Sequence, residues 1–368
     1  FTGAVALNTN GSSGNATIKD KAADLQLAAS SVGGALIATA TTEDITQNGI
    51  LTITGAAKFI TETTNKSILL GESNAFASHV TMQAGNGSNA TFNNITFVDS
   101  AAVKLHSSAA SAGDLFIDAS TDLAVGGSLS ITATTGNITQ GSELAVGTTS
   151  TFTTSASNAT ITLNDVDNTF TGALALNTTG SSGNATIKND RAILLAASTV
   201  GGALSATATA GNITQSGALA IAGATTLVTS GVGADIDLTT DTNAFTGQLL
   251  ITTNETGSDI DADVSIDGGT TNLIIGTSTI DGDLALRSGG TITDTDSSTV
   301  TVKGTLSATT DASNSVITLN DLAVTGAFTL APHGTGAVII VNDVNLNLAA
   351  STMGGTFSGT ATEGDISD

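Results

Sequence analysis

The acidic side chains are the residues of this chain with the most obvious capacity for chemistry. Between residues 235 and 296 there are twelve of them against a single base, Arg287. Hard cations take several oxygen ligands, so this segment is a candidate calcium site. Neither the EF-hand spacing nor the G-G-x-G-x-D nonapeptide occurs, and solvated acidic turns are the alternative. The twelve acids are Asp235, Asp237, Asp241, Glu255, Asp259, Asp261, Asp263, Asp267, Asp281, Asp283, Asp294 and Asp296.

Paired carboxylates could also serve hydrolysis, as they do in glycosidases. Asp-x-Asp pairs place two carboxylates on one face of a strand, because side chains alternate along it. The catalytic grooves of hydrolytic β-helices combine such pairs with Arg, Lys or His, whereas no base lies near these pairs in sequence. We therefore assign no catalytic, cofactor-binding or metal-binding residue and expect no enzyme. The pairs are Asp165/Asp167, Asp235/Asp237 and Asp261/Asp263.

Histidine and asparagine give two further candidate sites. His79, His106 and His333 are never close at metal-ligand spacing, which favours isolated surface or corner residues. Asn-x-Ser/Thr triplets could accept glycans, or their asparagines could simply form turns. An intact mass equal to that of the bare chain would exclude glycans. The triplets considered begin at Asn15, Asn65, Asn89, Asn158 and Asn184.

Composition restricts the partners and the kind of core. The 368 residues carry 32 acids and 9 bases, a formal net charge of -23, so nucleic acid is excluded as a partner. Hydrophobic residues make up 40% of the chain but aromatic residues only 3%, which predicts a narrow core of small branched side chains. There is no cysteine, and no apolar run is long enough for a membrane helix.

The elements that would position these groups are set by an internal repeat. Residues 1–55 recur almost unchanged at 170–223, and a Phe landmark opens each copy. The landmark falls at Phe1, Phe76, Phe170 and Phe245, with a weaker form at Val324, and a D/N-I-T-Q element recurs in step with it. One continuous domain over residues 1–368 is predicted, with modules of about 1–75, 76–169, 170–244, 245–323 and 324–368, the last one incomplete.

The repeat predicts a right-handed parallel β-helix. Short runs of alternating apolar residues, separated by glycine-rich turns, indicate strands of three to six residues. The module that begins at Phe76 is 18 or 19 residues longer than its neighbours, and a stacked array accepts whole turns, so we infer coils of about 18–19 residues, roughly 19 in all. The Phe landmarks would then occupy one recurring corner of the core, in register.

Residues 197–227 carry a family resemblance. Their text, ASTVGGALSATATAGNITQSGALAIAGATTL, resembles the repeat region of filamentous-haemagglutinin-like exoproteins, the large adhesins that Gram-negative bacteria secrete by the two-partner route. The resemblance extends over nearly the whole chain. It implies a β-helical shaft, export through an outer-membrane secretion pore, a location on the bacterial outer surface or outside the cell, and adhesion to host or bacterial glycans or proteins.

The function expected from these observations is that of a structural shaft in a long bacterial surface filament, with further copies of the repeat in the same longer chain as its neighbours. A self-assembling filament or sheath subunit is the first alternative. A polysaccharide-active β-helix is the second, and it predicts carboxylates and bases clustered on one face. Fibres far longer than this segment, with a regular axial repeat, would favour the shaft over subunit assembly.

Overall fold

Every regular element in the described part of the protein is a β-strand. A computed structural model describes residues 1–85, 91–106, 111–118, 123–239, 243–254, 262–295 and 299–368. These residues form two compact units, Phe1–Ile187 and Lys188–Asp368. Within the described ranges there is no helix, and hence none that is long and apolar enough to span a membrane.

The first unit is built from short strands with inward-facing apolar residues at alternate positions. Its strands, the last of which continues two residues into the second unit, are β1 (Asn8–Thr9), β2 (Ala16–Asp20), β3 (Leu25–Leu27), β4 (Ser30–Val32), β5 (Leu36–Ala40), β6 (Ile45–Gln47), β7 (Leu51–Ile53), β8 (Ala57–Thr61), β9 (Lys66–Phe76), β10 (Val80–Ala84), β11 (Phe92–Asp99), β12 (Val103–Leu105), β13 (Asp114–Asp118), β14 (Leu123–Val125), β15 (Leu129–Ala133), β16 (Ile138–Gln140), β17 (Leu144–Val146), β18 (Ser150–Ser157), β19 (Ile161–Leu163), β20 (Thr169–Phe170), β21 (Leu174–Thr179) and β22 (Ala185–Asn189).

The second unit has the same construction. Its strands are β23 (Ile193–Leu195), β24 (Ser198–Val200), β25 (Leu204–Ala208), β26 (Ile213–Gln215), β27 (Leu219–Ile221), β28 (Thr225–Thr229), β29 (Ile236–Leu238), β30 (Ala244–Phe245), β31 (Leu249–Thr252), β32 (Val264–Asp267), β33 (Leu273–Ile275), β34 (Ser278–Ile280), β35 (Leu284–Ser288), β36 (Ile292–Asp294), β37 (Val300–Val302), β38 (Leu306–Thr310), β39 (Ile317–Val324), β40 (Ala327–Ala331), β41 (Val338–Asn342), β42 (Leu346–Leu348), β43 (Phe357–Ala361) and β44 (Ile366–Ser367).

Each unit is a parallel β-solenoid, as the repeat predicted. In the second unit the coil formed by β25, β26 and β27 is followed by the coil of β28, β29 and β30, and each strand pairs in parallel with its counterpart. Leu204 lies beside Thr225, Ile213 beside Ile236 and Ala220 beside Ala244, so a coil takes 21 to 24 residues here. The described residues of the two units together make about 15 turns, with coils about 22 residues apart.

The coil length inferred from the repeat is therefore too short, and the long module explains the error. Its extra residues do not add one complete turn. Strand β13 lies between β10 and β12, out of chain order, with Leu115 beside both Val80 and Leu105. The insertion thus enters as one additional strand on an existing sheet, and its length says nothing about the length of a coil.

The core of each unit is narrow and largely aliphatic, as composition predicted. Inward Leu, Ile, Val and Ala side chains are almost fully buried along every sheet. Burying one such large aliphatic side chain contributes about 1.5–3 kcal/mol relative to leaving it in water. In the first unit Phe76 stacks on Phe97, with ring centroids 5.5 Å apart, and meets Phe59 edge to face at 6.1 Å.

Successive modules step from one sheet to another. The I-T-Q strand of the first module, β6, pairs with β3 and β9, whereas that of the second, β16, belongs to a different sheet and pairs with β12 and β19. In the second unit, β26 and β36 are separated in the same way. Each motif strand is the tenth strand after the previous copy, and a regular coil contains three strands. Each module therefore advances about a third of a turn beyond three coils.

This stepping corrects the expectation that the Phe landmarks stack in register. In the first unit Phe76 lies beside Ile53 and Phe170 lies beside Val146, on separate ladders. Both rings are inside the core, with 4% and 3% of their surface exposed, whereas Phe1 is 59% exposed. Phe76 and Phe170 are thus buried alike although they lie on different ladders.

Candidate functional site

Several buried polar residues lie at the corners between strands. In the first module Gln47 and Asn74 form a reciprocal amide pair: Gln47 Nε2 donates to Asn74 Oδ1 at 2.8 Å and Asn74 Nδ2 donates back to Gln47 Oε1 at 2.9 Å. The same Asn74 oxygen accepts the backbone N–H of Leu51 at 2.9 Å, and Gln47 Nε2 also donates to the Gly49 carbonyl. Asn74 is fully buried. We call this arrangement the amide corner.

The amide corner recurs in the next two modules. Gln140 and Asn168 exchange hydrogen bonds of 2.8 and 3.0 Å, and Gln215 and Asn243 exchange two of 2.9 Å. Asn243 Nδ2 also donates to the carbonyls of Leu238 and Asp267, at 2.9 and 3.0 Å. The glutamine ends the I-T-Q element and the asparagine precedes the Phe landmark by two residues, so the two landmarks are the two halves of one corner.

The fourth module builds this corner differently. Asp294 stands in place of the glutamine, and Leu322 stands two residues before Val324, where the other modules have asparagine. Asp294 Oδ2 accepts the backbone N–H groups of Asn320 and Asp321, at 2.7 and 2.8 Å. Burial raises the pKa of the Asp294 carboxyl, and the charge of Asp321 adds to that rise. The backbone N–H groups of Asp321, Asn320 and Asp294 itself oppose it.

A second corner is closed by a threonine. The Thr229 hydroxyl donates to the Ala234 carbonyl at 3.0 Å, across a turn whose Gly233 has a φ of 63°. Thr154 and Ala159 repeat the contact at 3.2 Å around Asn158, whose φ is 67°. The left-handed residue favours Gly or Asn, which explains the Gly and Asn of these turns. Three further examples join Thr9 to Gly14, Thr178 to Gly183 and Thr310 to Ser315.

Thr61 is followed by a similar turn but lacks the threonine hydrogen bond. Asn65 follows it in the left-handed conformation, with a φ of 58°, but the buried Thr61 hydroxyl has no hydrogen-bond partner among the described residues.

Thr229→Val should destabilise the second unit by about 1–2 kcal/mol, because the buried Ala234 carbonyl loses its donor. Thr61→Val should be neutral or stabilising by up to about 1 kcal/mol, because an unsatisfied hydroxyl is removed.

Urea unfolding of the two threonine variants would measure this difference. Each keeps the β-branched shape of the original side chain, so changes in packing are small and matched. Equal losses of stability in the two variants would show that the hydroxyl contact does not hold the corner.

Glycines allow the coils to approach closely at a third corner. Gly55 donates its N–H to the Gly34 carbonyl in the preceding coil at 3.0 Å, and a Cβ on Gly55 would lie 2.6 Å from the Gly34 carbonyl carbon. In the second unit Gly223 stands against Gly202 with the same 2.6 Å separation. The G-G pairs and the single glycines one coil later are therefore neighbours in space, and side chains are excluded there by contact with backbone.

Three of the twelve acids proposed as calcium ligands form a ladder along one edge of the second unit. Asp235 Oδ1 accepts the N–H of Asp263 at 2.9 Å, and Asp263 Oδ1 accepts the N–H of Asp283 at 2.8 Å. Asp283 continues the series to the N–H of Thr305. Among the described residues no three Asp, Glu, His or Cys side chains are grouped as metal ligands. Asp241, Glu255, Asp259, Asp261 and Asp296 lie outside the described residues.

In this ladder each acid uses one carboxylate oxygen to accept a backbone N–H group. Asp263→Asn should keep that acceptor and relieve repulsion between like charges in adjacent coils, which predicts a gain of up to about 1 kcal/mol. Asp263→Ala should be destabilising, because the N–H of Asp283 loses its partner. Thermal unfolding of both variants, with EDTA and with added calcium, would check this and would also test the calcium hypothesis.

The other predicted residues are dispersed. In the Asp165/Asp167 pair, the Asp165 carboxylate accepts the N–H of Asp167 at 3.1 Å, as in an ordinary Asx turn. His79, His106 and His333 lie on separate turns. Asn15 and Asn158 each accept a backbone N–H from the following coil, at 2.8 and 3.0 Å, so these triplet asparagines have a structural use. Asn89 is outside the described residues.

Sequence reasoning found the landmarks of the amide corner without finding that they touch. Gln47 and Asn74 are 27 residues apart, about one coil and a quarter, and no short motif spans that distance. The periodic spacing of both landmarks was the available signal. If the coil length of about 22 residues had been known, it would have predicted that the two side chains lie close together.

Comparison with known proteins identifies the repeat. A family model described as repeats of unknown function (DUF5649) matches residues 13–83, 92–177, 182–252 and 261–331. The four matches cover more than three quarters of the chain, and each begins shortly after one of the landmarks Phe1, Phe76, Phe170 and Phe245. No curated protein and no solved structure matches the chain.

Proposed function

We propose, for a chain that belongs to the family of repeats of unknown function DUF5649, that the repeats form the structural shaft of a large bacterial surface or secreted adhesin. The observation that carries the proposal is the recurrence of the same corner devices in successive modules. Amide pairs and glycine approaches join one coil to the next, and threonine contacts close turns within a coil. These recurring polar contacts serve the stacking and the corners of the solenoid.

A shaft must be long, and a parallel solenoid gains length with few residues per coil. Each coil of about 22 residues adds one strand spacing, about 4.8 Å, along the axis. The acidic surface, with a formal net charge of -23, keeps neighbouring shafts apart and soluble. Adhesion would then depend on where the shaft places a recognition element, with surface glycans or proteins of host or bacterial cells as targets.

The proposal includes an extracellular location, export through an outer-membrane secretion pore and further repeats as neighbours in the same longer chain. The resemblance of residues 197–227 to filamentous-haemagglutinin-like repeats supports these points. The absence of cysteine suits export in an unfolded state, since no disulfide would have to be broken or formed.

Immunogold labelling of the native source with an antibody against residues 170–223 would test the shaft. We expect gold along the stems of long fibres, between the cell envelope and their distal ends. Label confined to the tips, or on discrete particles, would contradict the proposal. Sedimentation velocity of the purified chain, and release of reducing ends from polysaccharides, would detect the filament-subunit and hydrolase alternatives.

A further inference from the structure

Three modules place different residues in the middle of the amide corner. Between the corner glutamine and the residue whose carbonyl accepts its side-chain N–H stand Asn48 in the first module, Gly141 in the second and Ser216 in the third. The backbone N–H of each donates to a leucine carbonyl of the preceding coil, at 2.6 to 2.9 Å. The three positions are therefore equivalent, and only the first module has an asparagine there, directly before a glycine.

The packing of the corner explains that glycine. A Cβ on Gly49 would lie 2.5 Å from the backbone nitrogen of Ala29, so a side chain is excluded by contact with backbone. Gly217 of the third module meets Ala197 in the same way, at 2.4 Å. Glycine is also the residue whose nitrogen is least shielded, because it has no side chain. The corner thus fixes an unhindered backbone nitrogen directly after Asn48.

The two groups that would react at this position are not engaged in other contacts. Asn48 is exposed, and its side-chain amide has no hydrogen-bond partner among the described residues. The Gly49 N–H likewise has no acceptor in the described part of the chain, although the Gly49 carbonyl accepts Gln47 Nε2 at 2.9 Å. Neither the amide nor the N–H would have to give up a hydrogen bond in order to react.

We propose that Asn48 is a site of spontaneous covalent modification, at which the side chain closes onto the Gly49 nitrogen and is converted to isoaspartate and aspartate. The Gly49 nitrogen loses its proton to hydroxide and attacks Asn48 Cγ. The bond from Cγ to the amide nitrogen breaks, and ammonia leaves. Water then opens the five-membered imide. Cleavage between the Asn48 carbonyl carbon and the Gly49 nitrogen gives isoaspartate, whereas cleavage at Cγ gives aspartate.

Isoaspartate lengthens the chain inside the amide corner. The backbone then runs from Cα of residue 48 through Cβ and Cγ to the Gly49 nitrogen, one atom more than before. Gly49 lies against Ala29 and is also held by Gln47, so the added atom displaces one of these contacts. Gln47 in turn pairs with the buried Asn74. The modification therefore loosens the corner of the first module, whereas aspartate leaves the backbone path unchanged.

Peptide mapping of the purified full chain, aged in mildly alkaline buffer, tests the reaction. Trypsin releases residues 22–58, between Lys21 and Lys58, and Asn48 is the one asparagine of that peptide. We expect the peptide to gain about 1 Da and to become a substrate for isoaspartyl methyltransferase. Residues 192–287, in which no asparagine precedes a glycine, should stay unchanged. Asn48→Ser should abolish the gain, and Ser216 shows that serine fits this corner.

Thermal unfolding tests the effect on the corner. The aged unchanged protein should melt about 2 °C or more below aged Asn48→Ser, in proportion to its isoaspartate content. The two other Asn-Gly pairs, Asn10-Gly11 and Asn86-Gly87, age alike in both chains. Fresh Asn48→Asp carries the new charge on a normal backbone and should melt close to the fresh unchanged protein.

Two results would overturn the proposal. A 22–58 peptide that ages no faster than peptide 192–287 would show that the fold prevents the cyclisation. Equal melting of the aged unchanged protein and aged Asn48→Ser, with isoaspartate present at residue 48, would show that the amide corner tolerates the longer chain.

Discussion

Gly55→Ala is expected to destabilise the first unit by about 3 kcal/mol or more. The new Cβ would lie 2.6 Å from the carbonyl carbon of Gly34, 2.7 Å from its oxygen and 2.8 Å from the nitrogen of Ala35. All three atoms belong to backbone that is hydrogen-bonded between coils. No rotamer change can relieve the contact, and the two coils must separate.

Gly71→Ala is the matched control, since it is the same change in the same unit. A Cβ on Gly71 meets only the Thr96 methyl carbon, at an ordinary 3.7 Å. Its effect should stay within about 1 kcal/mol, and reduced freedom of the unfolded chain favours a small gain. Urea unfolding gives both numbers. If Gly55→Ala loses no more than Gly71→Ala, close approach of the coils is not what selects glycine at this corner.

Asn243→Asp is expected to cost the second unit about 3–5 kcal/mol at neutral pH. Asn243 Nδ2 donates to Gln215 Oε1 and to the carbonyls of Leu238 and Asp267, and only 1% of the residue is exposed. An ionised carboxylate would turn a buried negative oxygen toward three acceptors. Part of the loss should return at acid pH, because protonation restores one donor.

Asn212→Asp provides the comparison for this second effect. Asn212 Oδ1 accepts the N–H of Asp235 at 2.9 Å, whereas its Nδ2 donates only at 3.5 Å, to the Asp235 carboxylate. The closer contact depends on the oxygen, and the equivalent residue of the first module is Asp44. The substitution should cost less than about 1 kcal/mol, mainly through repulsion from Asp235. Chemical unfolding at pH 7.5 and at acid pH would compare the two variants. Equal losses would show that the amide corner is not the source of the effect.

Much of the architecture could be predicted from residue pattern alone. Period-2 runs such as Leu204 to Ala208 identify strands, and the near-identity of residues 1–55 and 170–223 indicates stacking of like on like. Parallel pairing follows, because strands so short and so regularly spaced have counterparts only in the next coil. The low content of aromatic residues, 3% of the chain, correctly predicted a largely aliphatic core.

The coil length could not be predicted, because landmarks measure modules and not coils. The interval from Phe170 to Phe245 fits either four short coils or three and a third coils of about 22 residues. Only the pairing of particular strands, such as Ile213 beside Ile236, decides between them. The amide corner was missed for the same reason, since its two residues meet only when the true coil length is known.

The advance of one sheet per module has a consequence for how such a protein can change length. Within a unit, loss or duplication of one module lets the strands join again, but every outward residue beyond the junction turns to a new side. Gain or loss of one module inside a unit would therefore change the direction in which a surface group beyond the junction points, as well as the number of coils.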